Sequence, residues 1–354
     1  MKKKVKIGII GVGAIGTCHA EAYQHVENAE IVAMCDLLPD RLAEKAAKFN
    51  VKKTYTDYLK LLKDPEVEAV SICVPNDMHA PIAIDAFKAG KHVMLEKPMT
   101  LNAEWGRKIL KARDKSGKKL QMGMVWRQTP EAIVVRDEIQ AGRLGEIYQI
   151  RIKLIRRRGI PGLGGWFTTK AKSGGGALID IAVHFLDLIM WETNYWNPTR
   201  VSAKVYSKFG SPIKDYHYIS MWAGPPKKNG TFDVDDYAAG FLRFGKKATL
   251  SFEVAWACNA EDESFVEFIG TKGGVKCGKN TGVTRFCTEV GGRIADIDIK
   301  YDPTKERFTA ELEKFVAAVQ GKGEVAATGE EGLIAMRVLD AIYKSSELDC
   351  EVEI

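Results

Sequence analysis

The sequence predicts a two-domain α/β protein: an N-terminal doubly wound parallel sheet, followed by a C-terminal α+β domain with a large, mainly antiparallel sheet. Three observations carry this expectation. Up to about residue 123, short apolar runs alternate with stretches of helical periodicity, which implies parallel strands joined by right-handed crossovers. Beyond about residue 124 the apolar runs lengthen, alternate in polarity and are separated by Gly-rich turns, as in antiparallel sheets. A length of 354 residues also exceeds one ordinary core and suits about two. The expected domains are 1–123 and 124–354.

The first element is the apolar run Val5–Ile10, which leads directly into Gly11-Val12-Gly13-Ala14-Ile15-Gly16 and a helix to about His25. A strand that feeds a glycine turn opening a helix fits either the Rossmann dinucleotide-binding arrangement or an ordinary strand-to-helix turn, and the context that follows favours the first. Gly11 permits the tight turn, Gly13 lets the backbone approach a pyrophosphate, and Gly16 lets the helix lie close to the sheet. The amides of Ala14 and Ile15 stand at the helix start, where phosphates bind. The second strand, Ala29–Cys35, runs into Asp36, 20 positions after Gly16, a spacing that suits a carboxylate on the ribose diol. Leu37 and Leu38 beside it offer no cation for a 2′-phosphate, so NAD is expected in preference to NADP.

A helix from Pro39 to Phe49 and a short one containing Leu59, Leu61 and Leu62, capped at Thr56-Asp57, come next. The third strand, Ala69–Val74, stops at Pro75-Asn76, and a helix over about Met78–Ala89 ends at Gly90. The fourth, His92–Leu95, stops at Glu96-Lys97-Pro98. A helix over about Asn102–Ser116 and a strand at Leu120–Met124 complete the series. Ligands of such sheets bind at the carboxyl ends of the strands, where Gly11–Gly16, Asp36, Pro75-Asn76 and Glu96-Lys97-Pro98 all lie. In the second domain, strands are expected at Glu146–Ile155, Asp235–Phe244 and Ala248–Ala257. Helices are expected at Pro130–Ala141, Gly176–Trp191, about Lys305–Val319 and Glu330–Leu348. The last two are packing elements by default. Ala223–Gly230 reads as a surface loop.

Composition narrows the function classes. The chain is 45% hydrophobic and 28% charged, and no apolar run reaches the roughly 18 residues of a bilayer span, so no membrane association is expected. Met1-Lys2-Lys3-Lys4 runs straight into the first strand, which suggests no signal peptide and a cytoplasmic location. The seven cysteines show no C-x-x-C pair and no metal-ligand spacing, and read as reduced core residues. The net charge of +6 comes from short clusters spread over the chain, which argues against nucleic-acid binding.

Four further stretches could do chemistry. In Gly174-Gly175-Gly176-Ala177-Leu178-Ile179-Asp180-Ile181-Ala182-Val183-His184, Asp180 and His184 stand four apart on a helix and share a face, so the pair could abstract a hydroxyl proton. The alternative is a hydrogen-bonded core histidine and an aspartate near the helix cap. Lys97 stands at a strand end, where nicotinamide and substrate should meet; the alternative is an ordinary surface lysine. Arg156-Arg157-Arg158, the glycine-spaced loop Gly159–Gly165 and Trp166 could form a substrate lid. Arg156 and Arg158 would suit hydroxyls or a carboxylate, and Trp166 a sugar face or aglycone. Trp126-Arg127 poses the same choice between substrate and packing.

Taken in order, these residues resemble the oxidoreductases grouped as glucose-fructose oxidoreductase, inositol dehydrogenase and rhizopine catabolism protein (Gfo/Idh/MocA). The resemblance covers almost all of the chain: the glycine turn with His19 after it, Pro75-Asn76 with His79, Glu96-Lys97-Pro98, three glycines followed by Asp180 and His184, and the turn Gly270–Gly274. It implies an NAD(P)-dependent dehydrogenase without a metal, with His79 and Glu96 beside the cofactor and Lys97, Asp180 and His184 in catalysis. It also implies a homo-oligomer, a dimer or tetramer, formed through the C-terminal sheet. The expected reaction is oxidation of a secondary hydroxyl of a pyranose sugar, glycoside or cyclitol, with His184 taking the proton. Two other readings are a redox-neutral glycosidase that holds NAD and oxidises a ring hydroxyl transiently, and a catalytically silent NAD(H)-binding regulator.

Overall fold

The structure is a computed structural model that describes residues 4–218, 221–278, 283–302 and 306–354. Residues 1–3, which lead into the first strand, and Lys305, where a helix was expected to begin, lie outside the described residues. The chain divides into two units: residues 1–128 with Glu306–Leu333, and Thr129–Lys305 with Ile334–Ile354.

The first unit holds six parallel strands, β1 (Val5–Ile10), β2 (Ala29–Cys35), β3 (Lys53–Tyr55), β4 (Ala69–Ile72), β5 (His92–Glu96) and β6 (Leu120–Gly123), in the order β3-β2-β1-β4-β5-β6. This is the doubly wound order, with the switch in winding direction between β1 and β4. Strand β3 was not expected from sequence. Its three residues pair with Ala33–Cys35 of β2 and are too few to show a period of their own. The helix Arg307–Val319 also belongs to this unit, not to the second domain where its place in the sequence suggested. Leu312, Phe315 and Val316 lie in one core cluster with Val5, Ile7, Ile9 and Phe49. Each such buried side chain contributes roughly 1.5–3 kcal/mol.

The second unit is built on nine strands: β7 (Ile147–Ile155), β8 (Arg200–Tyr206), β9 (Tyr237–Phe244), β10 (Ala248–Ala255), β11 (Glu263–Gly270), β12 (Gly273–Gly278), β13 (Val283–Val290), β14 (Arg293–Lys300) and β15 (Val352–Glu353). Their order is β14-β13-β12-β11-β7-β10-β9-β8-β15. Only the β7–β10 pair is parallel among the described pairings. The turn expected at Gly270–Gly274 joins β11 to β12. The helix Pro130–Gln140 lies on β12 and β13 and against the helix Val183–Thr193.

Helical residues Lys170–Thr193 are long and apolar enough by composition to cross a membrane, but most of them are buried inside the protein, as in a core element. One sequence expectation needs correction. Five of the seven cysteines are at least partly buried, but Cys287 and Cys350 are exposed, so the reading of all seven as core residues fails for these two. Burial pushes the Cys35 thiol up to about 12 and Cys73 well above the ordinary thiol range, which makes both inert.

Candidate active site

In the first unit the three glycines take three different roles. Gly11 has φ +88° and closes the turn from β1. A Cβ at Gly16 would fall onto the Gly11 carbonyl oxygen, so the helix Ala14–Tyr23 can lie this close only with glycine there. A Cβ at Gly13 would meet nothing within 4 Å, which leaves the backbone open to an approaching ligand. The first helical bond runs from the Thr17 amide to the Gly13 carbonyl at 2.9 Å, so the amides of Ala14, Ile15 and Gly16 precede the helix's own ladder. These features fit a dinucleotide pyrophosphate.

Asp36 is buried at the end of β2. Its carboxylate accepts the Val12 amide at 2.9 Å and the Leu38 amide at 2.9 Å. It also accepts Nε of Arg41 at 3.1 Å and Nη2 at 2.7 Å, a forked pair. The expectation that no cation stands here therefore needs correction. Leu37 and Leu38 are exposed, but the helix Pro39–Lys48 turns Arg41 back onto Asp36. The fork occupies the carboxylate edge that a ribose diol would use.

At the ends of β4 and β5, two histidines hold the backbone. His19 Nε2 lies 2.8 Å from the buried Glu96 carboxylate, whose other oxygen accepts the Lys97 amide at 3.2 Å. The His79 nitrogens lie 2.8 Å from the Pro98 carbonyl and 2.9 Å from the Val74 carbonyl, so the ring ties the Pro75-Asn76 segment to the Lys97-Pro98 segment. Burial holds the His79 pKa below the ordinary histidine range, against the opposing pull of the two carbonyls. Both side chains are thus engaged by protein. Around them, Lys97 is the one residue of 93–100 that is not buried. Asn76 is buried at the start of a short 3₁₀ turn that follows Pro75.

Arg127 does not present a free fork. It is 1% exposed and donates to the Ala326 carbonyl and the Glu331 carboxylate, both at 3.0 Å, a structural duty inside the first unit. Trp126 beside it is half-buried.

In the second unit, the helix expected over Gly176–Trp191 begins as a π-helix, Leu178–Ala182, and becomes α-helical at Val183–Thr193. A π turn is uncommon and marks a backbone held by its surroundings. Here the surroundings are identifiable. The buried Asp235 accepts the Gly176 amide at 2.8 Å, the Leu178 amide at 2.7 Å and the Tyr343 hydroxyl at 2.7 Å. Its pKa is raised by burial despite those three donors. A Cβ at Gly176 would collide with the Asp235 backbone, which explains the last of the three glycines. Along 175–190, Asp180 and His184 are the only residues not fully buried. The indole Nε1 of the fully buried Trp256 donates to the Asp180 carboxylate at 3.1 Å.

The arginine cluster divides. Arg158 donates to the Arg157 and Cys258 carbonyls at 2.6 and 2.8 Å and to Asn259 at 2.9 Å, stapling the end of β7 to the segment after β10. The Arg156 side chain packs against Gly159. The glycine-spaced loop Gly159–Gly165 is pinned: Ile160 and Leu163 are buried, and the Leu163 carbonyl accepts the Lys227 amide at 2.9 Å. Trp166 stacks on Phe167 at 3.8 Å between centroids.

Lys97 belongs to the first unit, and Asp180 and His184 to the second. Sequence reasoning missed Arg41, Asp235, Trp256 and Tyr343. Arg41 is five residues from Asp36 and was legible in principle as the next turn of a helix. Asp235, Trp256 and Tyr343 act on partners 57 or more positions away and leave no local signal.

The parallel sheet with its glycine turn, and the second sheet unit with Asp180 on a π turn and His184 on the α-helix that continues it, fit a dinucleotide-dependent oxidoreductase. Residues 5–124 match the family model for the oxidoreductase family with an NAD-binding Rossmann fold, and residues 133–276 match the GFO/IDH/MocA C-terminal domain. The chain belongs to this family. It is 30% identical over 355 residues to D-glucoside 3-dehydrogenase of Escherichia coli (strain K12), covering 99% of this chain and 97% of that protein. It is 26% identical to inositol 2-dehydrogenase of Rhizobium meliloti (strain 1021), with 96% of each chain covered. The solved structure of levoglucosan dehydrogenase in complex with NADH and levoglucosan shares the fold, with a TM-score of 0.88, 22% identity, and coverage of 99% of this chain and 100% of that one.

Proposed function

We propose that this oxidoreductase is an NAD-dependent dehydrogenase that oxidises a secondary hydroxyl of a pyranose sugar, with a glycoside favoured over a free sugar or a cyclitol. One observation carries the reading. Within two otherwise buried stretches, 93–100 and 175–190, the residues left accessible are Lys97, Asp180 and His184, the side chains this chemistry requires. Relatives named for glucoside and inositol oxidation support the substrate class.

When bound, the nicotinamide supplies the hydride acceptor. The chain's own residues handle the proton and the orientation. Neutral His184 accepts the hydroxyl proton as the hydride leaves carbon. Asp180, held by Trp256, fixes a substrate hydroxyl, and the Lys97 ammonium favours the developing alkoxide. The glycine turn with Ala14 and Ile15 would receive the pyrophosphate, and Asp36 the ribose diol once Arg41 swings aside. NAD is favoured over NADP because Asp36 is a buried anion with two amides already fixing it, and a 2′-phosphate would face that charge. Pro75, Asn76, His79 and Glu96 shape the strand ends beside the cofactor, the last two through the backbone. We also assign to the second unit's sheet a role in homo-oligomerisation, supported by the exposed Tyr148, Val290, Ile294 and Ile297 on its strands. Light scattering reads that directly, and a monomer would remove it.

The test is NADH formation on mixing protein and NAD with a panel of free sugars, glycosides, uronates and inositols. Absorbance growth with a glycoside supports the proposal. Glycoside cleavage without net NADH would return the redox-neutral alternative, and no reaction with any member of the panel would remove the assignment.

A further inference from the structure

Two loops of the second unit, 159–168 and 221–231, are bonded into a double layer. Ala223 donates its amide to the Pro161 carbonyl at 3.2 Å, Lys227 to Leu163 at 2.9 Å, and Gly164 bridges to Thr231. The Thr168 hydroxyl adds a bond to the Thr231 carbonyl at 2.7 Å. One end of the first loop reaches the residue that holds Asp180, and the segment after its other end reaches the stretch that caps the π turn. At its start, the Gly159 amide donates to the carbonyl of Trp256, the residue whose indole holds the Asp180 carboxylate. After its end, Lys170 donates to Asp233, two residues before the Asp235 that caps the π turn. The loop pair is therefore fixed to the frame of Asp180.

What the pair carries is aromatic. Trp166 stacks on Phe167, and Phe167 meets Trp222 edge to face at 5.1 Å between centroids. Trp222 is nevertheless 60% exposed. Its neighbour Ala223 is packed on Gly162 and bonded to Pro161, so the backbone holds the indole out in water. An exposed aromatic group on an anchored backbone is a ready surface for a flat partner. A pyranose ring offers one: its axial C–H bonds form an apolar face whose hydrogens carry partial positive charge, matched to the negative face of an indole.

We infer that Trp166, Phe167 and Trp222 form a subsite for the ring of a glycoside that is not oxidised, the aglycone or second sugar. This rests on the dehydrogenase reading above and deepens it, because a free monosaccharide or a cyclitol has no second ring to place there. The shared chemistry is an apolar ring face, supplied by an aryl aglycone or by a second pyranose.

The test is calorimetric binding to the NADH-loaded protein of D-glucose, cellobiose and phenyl β-D-glucoside, in the native chain, Trp222→Ala and Trp222→Tyr. The native chain should bind the two-ring ligands more tightly than glucose. Trp222→Ala should cut that preference about tenfold, the scale of one lost aromatic face, and Trp222→Tyr should keep most of it. Whether cellobiose or the phenyl glucoside loses more identifies which ring the platform takes. An unchanged preference in Trp222→Ala overturns the subsite while leaving the dehydrogenase reading intact. Native protein that binds none of the three and forms no NADH with the sugar panel overturns both.

Discussion

Trp256→Phe is the most informative perturbation of the proposed site, because it removes one donor and keeps most of the ring. The indole Nε1 lies 3.1 Å from the Asp180 carboxylate and is fully buried. A hydrogen bond to a charged group contributes about 1.5–3 kcal/mol when one partner is deleted. If that energy serves to hold Asp180 in its reacting orientation, it converts to about 10–100-fold in kcat at roughly 1.4 kcal/mol per factor of ten. Asp180 is only half-buried, so water can replace the lost donor, and the lower end, about tenfold, is expected. The smaller ring also leaves a void of roughly 40 Å³, costing about 1 kcal/mol of stability at the usual cavity rate. The assay is steady-state NADH formation at saturating NAD and sugar, with NAD affinity by fluorescence and a thermal melt in parallel. The expected result is a lower kcat, an unchanged affinity for NAD and a melting point a few degrees lower. A folded variant with native kcat and KM would show that the indole merely packs against Asp180.

His184→Ala should fold and bind NAD while losing about 10²–10⁴-fold in kcat, the usual value of a general base, as seen in single-turnover kinetics; near-native turnover there, with loss in Lys97→Ala, would exchange the two roles. Arg41→Ala frees the Asp36 carboxylate, so the Kd for NAD should fall severalfold and that for NADP should rise, measured by fluorescence titration; tighter NADP binding would refute the assignment of Asp36. Fold stability should fall with acidity through His92, whose pKa is lowered by burial and by Lys118 and Lys119 from the ordinary 6.5 to about 4. Between those values the unfolded chain binds a proton that the folded chain refuses, so stability is full above about 6.5 and declines towards 4. Urea midpoints at pH 7 and 5 should differ less in His92→Gln than in the native chain, and equal differences would exclude His92 as a source.

The parallel sheet was legible because its signals are local. Each strand is a short apolar run ended by a turn residue, and the Gly11–Gly16 spacing joins strand to helix within a dozen residues. Asp180 and His184 were legible as a pair for the same reason, being neighbours on one helical segment. Strand β3 was not, since three residues with no buried face carry no period.

The sequence by itself determined which faces are apolar, where strands end, and which polar residues interrupt buried runs. It did not determine partners. The helix Arg307–Val319 shows a clear apolar stripe, but only the tertiary structure decided that the stripe packs in the core of the first unit. The π turn under Asp180 was likewise invisible, because the donors to Asp235 and the indole on Asp180 come from segments far along the chain. Arg41 shows the limit at short range. Its position was plain, but only the helix orientation brought its guanidinium onto Asp36. Periodicity fixes the direction in which a side chain leaves its own element. Which group it meets there depends on how distant elements dock, and long-range contacts leave no pattern in the residues on either side of them.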